Sequence, residues 1–287
     1  MEIGLKYNID LVEDIHNILA HDFWVYCNFT GNMIPEINDP VKFTSNCSIY
    51  VKEGTGKIEL DLMPYEFKGP CIVNIRQGQI LQDAKIFSGF DASFIVLSKR
   101  FCDNLFVLLK DCSSYSIATM NSIAPIPESL MSKFDRFYNH IREIFSDAQG
   151  TNSYQAMVLA IASFFYECGT ICYPPVLQSS RNSTTRLIEK FLSLVQLHFK
   201  KERFLDFYAN QLEVSAKHLS RTLKNATGFT AVEWIDRYVI LEAKVLLKST
   251  TMSVQQISDE LNFASQSFFG KYFKKHTGHS PKDFRNS

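Results

Sequence analysis

Two stretches in the last third of the chain, HLSRTLKNATG (218–228) and FFGKYFKKHTG (268–278), correspond to one another at an offset of 50 residues. The correspondence continues downstream, where Thr230 matches Ser280 at the same offset, and upstream, where the offset becomes 49 residues. A repeat at a nearly fixed period indicates two copies of one supersecondary unit. The pattern therefore predicts that this region folds as two similar modules.

Each module has the pattern of two short helices separated by a break of three or four residues. The apolar spacing predicts helices over 206–212 and 216–227 in the first module, and over 254–261 and 266–277 in the second. Ser215 and Ser265 stand where each second helix would begin, and serine is a preferred N-cap because its hydroxyl accepts a backbone N–H bond. Two helices joined in this way form a helix-turn-helix.

Further helix starts are indicated by capping-box spacings or near relatives of them, in which a Ser or Thr precedes a Glu, Gln or Asp by three residues. These pairs are Thr230 with Glu233, Ser253 with Gln256, and Ser280 with Asp283. Pro281 then occupies a first helical position, where its missing N–H costs nothing.

The second helix of each module is expected to carry a polar stripe opposite its apolar one. Leu219 and Leu223 should face the core in the first module, as Phe269 and Phe273 should in the second. The polar residues on the outer faces are then Lys217, Ser220, Arg221 and Lys224, and Gln266, Ser267, Lys271 and Lys274. Such a mixture can donate hydrogen bonds to phosphates and to base edges in a major groove. One such helix could equally be an ordinary solvated surface, but two matched copies favour DNA binding.

The charge distribution agrees with this interpretation. The formal net charge is zero, but from Arg181 onward there are 17 Lys and Arg against 10 Asp and Glu, which leaves +7 there and −7 in the first 180 residues. A basic third attached to an acidic remainder is typical of a polyanion-binding domain carried by another domain.

Residues 187–287 resemble the DNA-binding domain of AraC/XylS-type bacterial transcription regulators, which has two helix-turn-helix units joined by a long helix. The segment 268–285 is similar to the signature of that family, and 234–248 is similar to its joining helix. The resemblance implies that one groove receives Lys217, Ser220 and Arg221. The next groove would receive Ser265, Gln266, Ser267 and Lys271.

Two features depart from the family pattern. The turn position that usually holds Gly is Glu213 in the first unit and Asn262 in the second, and Asn adopts a positive φ more readily than Glu. Gly270 lies inside the second recognition helix, where Gly costs about 1 kcal/mol relative to Ala. The recognition helix of the second module is therefore expected to be less rigid than that of the first.

The first 120 residues have the pattern of a strand-rich domain. Short runs rich in β-branched and aromatic residues predict strands over 23–29, 47–51, 58–62, 71–75 and 93–97. Gly54–Gly56 and the Gly69-Pro70 pair are predicted to form turns between strands. Short strands at this spacing indicate a sandwich or a barrel.

Segments 50–58 and 70–79 resemble, more weakly, the cupin-like sensor domain at the front of many AraC-type regulators. A cupin enzyme holds its metal through strand histidines, and the predicted strands contain none. The motifs of dinucleotide, phosphate-loop and nucleophile-elbow enzymes are also missing. We therefore expect no enzyme, no metal and no cofactor, and a small-molecule pocket to which Trp24, Tyr26 and Arg76 could contribute.

The seven cysteines are dispersed, which predicts reduced thiols that lie mostly in the core. No apolar run reaches the roughly 18 residues of a membrane span. Residues 1–6 also lack the start of a secretion signal. A cytoplasmic location is therefore expected.

Helices are predicted over about 128–146 and 153–168, with a broad apolar stripe that includes Phe134, Phe137 and Ile141. Such a stripe must be covered, either by a second copy of the chain or by its own β domain. Because the corresponding region of the family commonly supports dimerisation, we expect a homodimer through these helices. Intramolecular packing is the competing interpretation.

Together these patterns predict an α+β multidomain chain: a cupin-like β-barrel with trailing helices, followed by an all-α domain. The predicted boundaries are 1–120 for the β domain, 121–172 for the dimerisation or packing helices, 173–186 for a linker and 187–287 for the DNA-binding domain. The predicted function is a sequence-specific transcription regulator that responds to a small-molecule effector. Its expected partners are double-stranded promoter DNA, a second copy and RNA polymerase. The alternative is a non-enzymatic module that uses its helical repeat to bind protein.

Overall fold

The protein divides into two units, Met1–Ser179 and Ser180–Ser287, in a computed structural model. Its described residues are 22–30, 39–87, 89–109, 112, 122–146, 152–172 and 183–286. The predicted fold class, a β domain with trailing helices and an all-α domain, is confirmed. Within the described part, no helix combines the length and the apolar character that crossing a membrane would require.

The N-terminal unit contains nine strands and three helices among its described residues. The strands are β1 (Phe23–Thr30), β2 (Val41–Lys42), β3 (Asn46–Glu53), β4 (Thr55–Leu60), β5 (Met63–Lys68), β6 (Cys71–Ile75), β7 (Ile80–Ile86), β8 (Asp91–Leu97) and β9 (Ile123–Pro125). The helices are α1 (Lys99–Leu109), α2 (Glu128–Ser146) and α3 (Ser153–Cys172).

The strands form two antiparallel sheets rather than the closed barrel that the sequence led us to expect. One sheet has the order β1-β8-β3-β6-β9 and the other β2-β7-β4-β5, and they share no strand in the described part of the chain. Side chains alternate along β3, so Val51 packs between the sheets while Tyr50 faces the helices. The larger sheet is thus buried on both faces, which requires separate layers on either side of it.

The differences from the predicted strands are local. The strand predicted at 58–62 begins at Thr55 and ends at Leu60, because Asp61 and Leu62 turn the chain with φ values of 50° and 69°. The turn predicted at Gly54–Gly56 consequently shrinks to Gly54 alone, since Thr55 and Gly56 belong to β4. The strands β2, β5, β7 and β9 and the helix α1 were not predicted.

The apolar stripe of α2 packs on the chain's own β sheet. Phe134 and Ile141 are buried, and the ring of Phe134 lies 5.2 Å from that of Tyr50 on β3. Phe137, which is half-buried, stacks on Phe164 of α3 with ring centroids 4.0 Å apart. The burial argument for a dimer through these residues is therefore wrong, because one chain already covers them.

The regular elements of the C-terminal unit are all helices over its described length. Its elements are α4 (Ser183–His198), α5 (Leu205–Gln211), α6 (Ala216–Thr227), α7 (Ala231–Ser249), α8 (Val254–Glu260), α9 (Gln266–Thr277) and α10 (Pro281–Asn286). The pairs α5–α6 and α8–α9 are the two predicted modules, and all four helix predictions agree with the structure to within one residue at each end. The central helix α7 buries Trp234 and ten further side chains.

The turn inside each module has the same backbone geometry. Glu213 and Asn262 both have a φ of 55°, the left-handed conformation that explains why Gly is common at this position. The N–H of Val214 donates to the carbonyl of Ala209, and that of Phe263 donates to Ser258. Both turns thus close through equivalent bonds, although neither contains the usual glycine.

The predicted helix caps are confirmed. Ser215 and Ser265 accept the third N–H of α6 and α9, and Thr230 and Ser253 form complete capping boxes at the starts of α7 and α8. Ser280 accepts the N–H of Asp283 at 3.2 Å, as the related spacing predicted.

We expect the capping box of α7 to depend on the charge of Glu233. Its carboxylate accepts hydrogen bonds from the N–H of Thr230 at 2.7 Å and from its hydroxyl at 2.8 Å, which lowers the pKa of Glu233 below its ordinary value. A carboxyl group with a lowered pKa stabilises the fold above its unfolded-state pKa and loses that contribution as the pH falls through its folded pKa.

Glu233→Gln should therefore lower the free energy of unfolding at pH 7, and the difference from the wild type should shrink in acid. Urea unfolding of both proteins at pH 7 and below about pH 4 measures this difference. A variant that loses the same stability at both pH values would show that the effect is not electrostatic.

Candidate nucleic-acid interface

The first recognition helix, α6, is held by its apolar side and presents a basic stripe. Leu219 and Leu223 are fully buried in the unit. Lys217, Arg221 and Lys224 are exposed. Their spacing of four and three residues places the three cations on one side of the helix. Ser220 is half-buried at the edge of this stripe.

The second recognition helix, α9, repeats this arrangement with fewer charges. Phe269 and Phe273 are fully buried at the positions that correspond to Leu219 and Leu223. The polar residues on the exposed stripe are Gln266, Ser267, Lys271 and Lys274. At the 50-residue offset Ser267 replaces Lys217, so this stripe has two cations where α6 has three. The structure thus brings the predicted residues together as two matched stripes.

Ser265 differs from the other predicted contact residues. Its hydroxyl oxygen accepts the N–H of Phe268 at 3.2 Å and caps α9, and the residue is half-buried. Ser215 has the same role at the start of α6, where its hydroxyl accepts the N–H of His218. The structure therefore accounts for Ser265 as a capping residue, and its predicted contact with DNA stays a prediction.

Each recognition helix is fixed to the next helix of the chain by an aromatic side chain of that helix. The indole N–H of Trp234 on α7 donates a hydrogen bond to the hydroxyl of Thr227 at 2.8 Å, and the ring of Phe229 lies against that indole. In the second unit Phe284 on α10 stands in the place of Trp234, and its ring packs on Phe273 at 5.5 Å. The exposed stripes are therefore presented by helices whose opposite sides are fixed.

The second recognition helix has an additional polar attachment to the central helix. The hydroxyl of Tyr272 donates to the Asp236 carboxylate at 2.7 Å, and Nε2 of His276 lies 3.9 Å from the same carboxylate. Burial and the adjacent carboxylate raise the pKa of Tyr272 above its ordinary value, so the phenol stays protonated as a donor. This bond orients α9 on α7.

Phe268 is an exposed residue of α9 that the sequence interpretation omitted. Its side chain is 68% exposed in the first turn of the helix, next to Ser267. An apolar side chain at the start of a recognition helix can contact the methyl group of thymine. Phe268 corresponds to His218 at the 50-residue offset, and the repeat of this exposed position is the signal that could have identified it.

We expect Gly270→Ala to stabilise the second recognition helix. A Cβ added at Gly270 would have no neighbouring heavy atom within 4 Å, so alanine fits without a clash. Because Gly is less favourable than Ala inside a helix, the free energy of unfolding should rise by about 1 kcal/mol. Urea unfolding of the variant measures this gain, and an unchanged or lower stability would contradict it.

The three predicted pocket residues all belong to the larger sheet, with Trp24 and Tyr26 on β1 and Arg76 directly after β6, and their contact with a ligand stays a prediction. Trp24 is buried with its ring 4.7 Å from that of Phe145, and Tyr26 stacks on Phe94 at 5.3 Å. Arg76 is half-buried just after β6, where its backbone N–H donates to the side-chain oxygen of Gln79 at 2.9 Å.

The structure contains an open groove of about 330 Å³ on the smaller sheet. Its lining residues are Thr55, Gly56, Lys57, Glu66, Phe67, Lys68 and Phe87, and they include none of the predicted three.

The cysteines and acidic residues of the described part form no metal site. No three His, Cys, Asp or Glu side chains lie together there in a way that could hold a metal ion. Six cysteines have described side chains, and they are free thiols, four of them buried. Burial raises the pKa of the Cys71 thiol to about 11, which keeps it protonated at neutral pH.

The repeated units agree with what comparison with known proteins shows. Residues 208–287 match a family whose description is a helix-turn-helix domain. The transcriptional activator RhaS of Escherichia coli is 31% identical over 108 residues, which are 38% of this chain and 38% of the relative. The C-terminal unit therefore contains a helix-turn-helix domain. The match spans 38% of the length of these curated relatives.

Similar solved structures include ToxT from Vibrio cholerae, with a TM-score of 0.45 and 14% identity over 92% of this chain and 98% of that chain. The C-terminal domain of AraT, a response regulator from Geobacillus stearothermophilus, has a TM-score of 0.35 and 26% identity. That similarity covers 37% of this chain and 88% of that domain.

Proposed function

We propose that the protein is a sequence-specific transcription regulator that binds double-stranded DNA through α6 and α9, acts in the cytoplasm and responds to a small molecule bound by its N-terminal unit. The observation that carries the proposal is the repeat of one helix, which in both copies has a serine cap, two buried apolar side chains and an exposed polar stripe at equivalent positions. The name of the curated relatives as transcriptional activators supports a role in transcription.

The chemistry of the stripes favours a nucleic acid over another polyanion. Arginine can form two parallel hydrogen bonds to the edge of guanine, and lysine can pair with phosphate as a point charge. Arg221 on α6 and Lys271 on α9 occupy equivalent positions in the middle of their stripes, and both are exposed. We assign base reading to these two residues, since lysine can also bond the edge of guanine, and phosphate binding to Lys224 and Lys274, one turn further on.

Two recognition helices in one domain should contact two successive major grooves on one side of the duplex. A footprint of the full chain on its binding site should therefore show two protected segments about 10 bp apart. A single short protected segment for each chain would mean that only one unit docks on DNA.

Arg221→Ala and Lys274→Ala should have different effects, because base contacts give specificity and phosphate contacts give affinity. Loss of Arg221 should cost about 1–3 kcal/mol and relax specificity at one base pair. Loss of Lys274 should weaken binding to all sequences alike. It should also reduce the slope of log association constant against log salt concentration by about 1. Competition assays with single-base variants of the site measure both effects, and equal, uniform losses would contradict this division of roles.

A homodimer remains part of the proposal, although the stripe of α2 is not its interface. Exposed apolar residues remain on the neighbouring helices α1 and α3, where Phe106, Val107 and Tyr166 are more than half exposed. The hydroxyl of Tyr166 donates to the carbonyl of Leu108 and joins the two helices into one surface. A second copy of the chain would remove this surface from water. RNA polymerase is a further proposed partner.

Sedimentation velocity of the full chain at micromolar concentrations should therefore show self-association. Phe106→Glu should abolish it, because a carboxylate in an apolar interface would lack a partner. Phe87→Glu is the matched control, since Phe87 is also an exposed aromatic residue but lies on another part of the unit. A wild-type chain that stays monomeric would reject the dimer.

A further inference from the structure

The segment between α4 and α5 reaches across the C-terminal unit to the second helix-turn-helix. Nζ of Lys200 lies 2.5 Å from a carboxylate oxygen of Glu260, at the end of α8, and 3.3 Å from one of Glu242 on α7. Lys200 thus joins three elements that are distant in sequence. Burial alone would lower the pKa of Lys200, but the two carboxylates outweigh it and hold the pKa above its ordinary value.

Arg203 in the same segment holds the turn of the second unit. Its guanidinium lies over the ring of Phe263 at 3.8 Å and donates a hydrogen bond to the carbonyl of Leu261. These two residues flank Asn262, whose positive φ turns the chain between α8 and α9. The ring of Phe263 in turn lies 5.2 Å from that of Phe269 on the recognition helix. Arg203 therefore contacts the second recognition helix through one intervening side chain.

The contacts are asymmetric between the two otherwise matched units. The position of Phe263 in the first unit is occupied by Val214, which offers no aromatic face to a guanidinium. The position of Glu260 is occupied by Gln211, which offers no charge to a lysine. The repeat therefore does not require these contacts, and the cross-connection is a separate feature of this chain.

The segment 199–204 leads directly into α5, the first helix of the first helix-turn-helix. The second helix-turn-helix also packs on α7, including through the Tyr272–Asp236 bond. Lys200 and Arg203 add attachments at the end of α8 and at its turn. Because Lys200 and Arg203 attach at two separate points, they restrict rotation of the second helix-turn-helix about α7. One attachment point alone would still allow that rotation.

We propose that Lys200 and Arg203 are positioning residues that fix the second recognition helix relative to the first unit, and thereby set the spacing between DNA segments that the domain accepts. We base the DNA part of this inference on the proposed function. The orientation part concerns the free protein and is tested without DNA.

The test without DNA is hydrogen exchange of the full chain. The variants are Lys200→Met, Arg203→Lys and Glu260→Gln, and the control is Lys201→Met, which removes the same charge from the adjacent exposed residue. We expect the Glu260→Gln variant to fold, because Lys200 still pairs with the buried Glu242. We expect faster exchange in 254–277 for the three variants and unchanged exchange in 205–227. Unchanged exchange in 254–277 would overturn the inference.

The test with DNA compares duplexes in which the two contact segments are one helical turn apart or are displaced by two base pairs. Because two base pairs rotate a segment by roughly 70° about the axis, a rigid domain should discriminate between them by about tenfold or more. The Lys200 and Glu260 variants should reduce this ratio to about twofold, while Lys201→Met keeps it.

A uniform loss of affinity at every spacing would mean that Lys200 and Glu260 only stabilise the fold, and it would overturn the positioning role. If the wild type binds no such duplex, the proposed function fails, and the exchange measurement still decides the orientation of the second unit.

Discussion

The burial of α7 is the constraint on which the rest of the C-terminal unit depends. This helix buries eleven side chains, among them Trp234, and both recognition helices attach to it or to its ends. Both helix-turn-helix modules bury their apolar side chains against this helix. Moving either module away from α7 would therefore expose apolar surface to water. The stripes of α6 and α9 are therefore presented by a common support rather than by independent hairpins.

The C-terminal unit could be predicted closely because its signals are local. Serine and threonine caps mark the helix starts, and the pairs Leu219–Leu223 and Phe269–Phe273 fix which side is buried. Even Glu213 and Asn262, which stand where the family usually has glycine, adopt the left-handed conformation that favours glycine, with a φ of 55°. What a sequence cannot supply is a contact between distant segments, such as that of Arg203 with Phe263, since no spacing rule connects them.

The N-terminal unit was harder to predict because its signals are ambiguous over short lengths. Strand β2 has two residues and β9 has three, too few for a period to be recognised. Helix α1 does carry a period of four in Phe101, Leu105 and Leu109, but it comes directly after β8, inside a region whose spacing predicts strands. The stripe of α2 shows a different limit: an amphipathic helix indicates that a face is covered but does not identify what covers it.

The central claim is that both stripes neutralise phosphates of a DNA duplex, and the salt dependence of binding tests it most directly. The stripes contain Lys217, Arg221 and Lys224 on α6, and Lys271 and Lys274 on α9. Lys224 and Lys274 are the two cations assigned to phosphates, so the logarithm of the association constant should fall with the logarithm of salt concentration with a slope of about −2 or steeper. A slope near zero would contradict the account and would favour a helical repeat that binds protein.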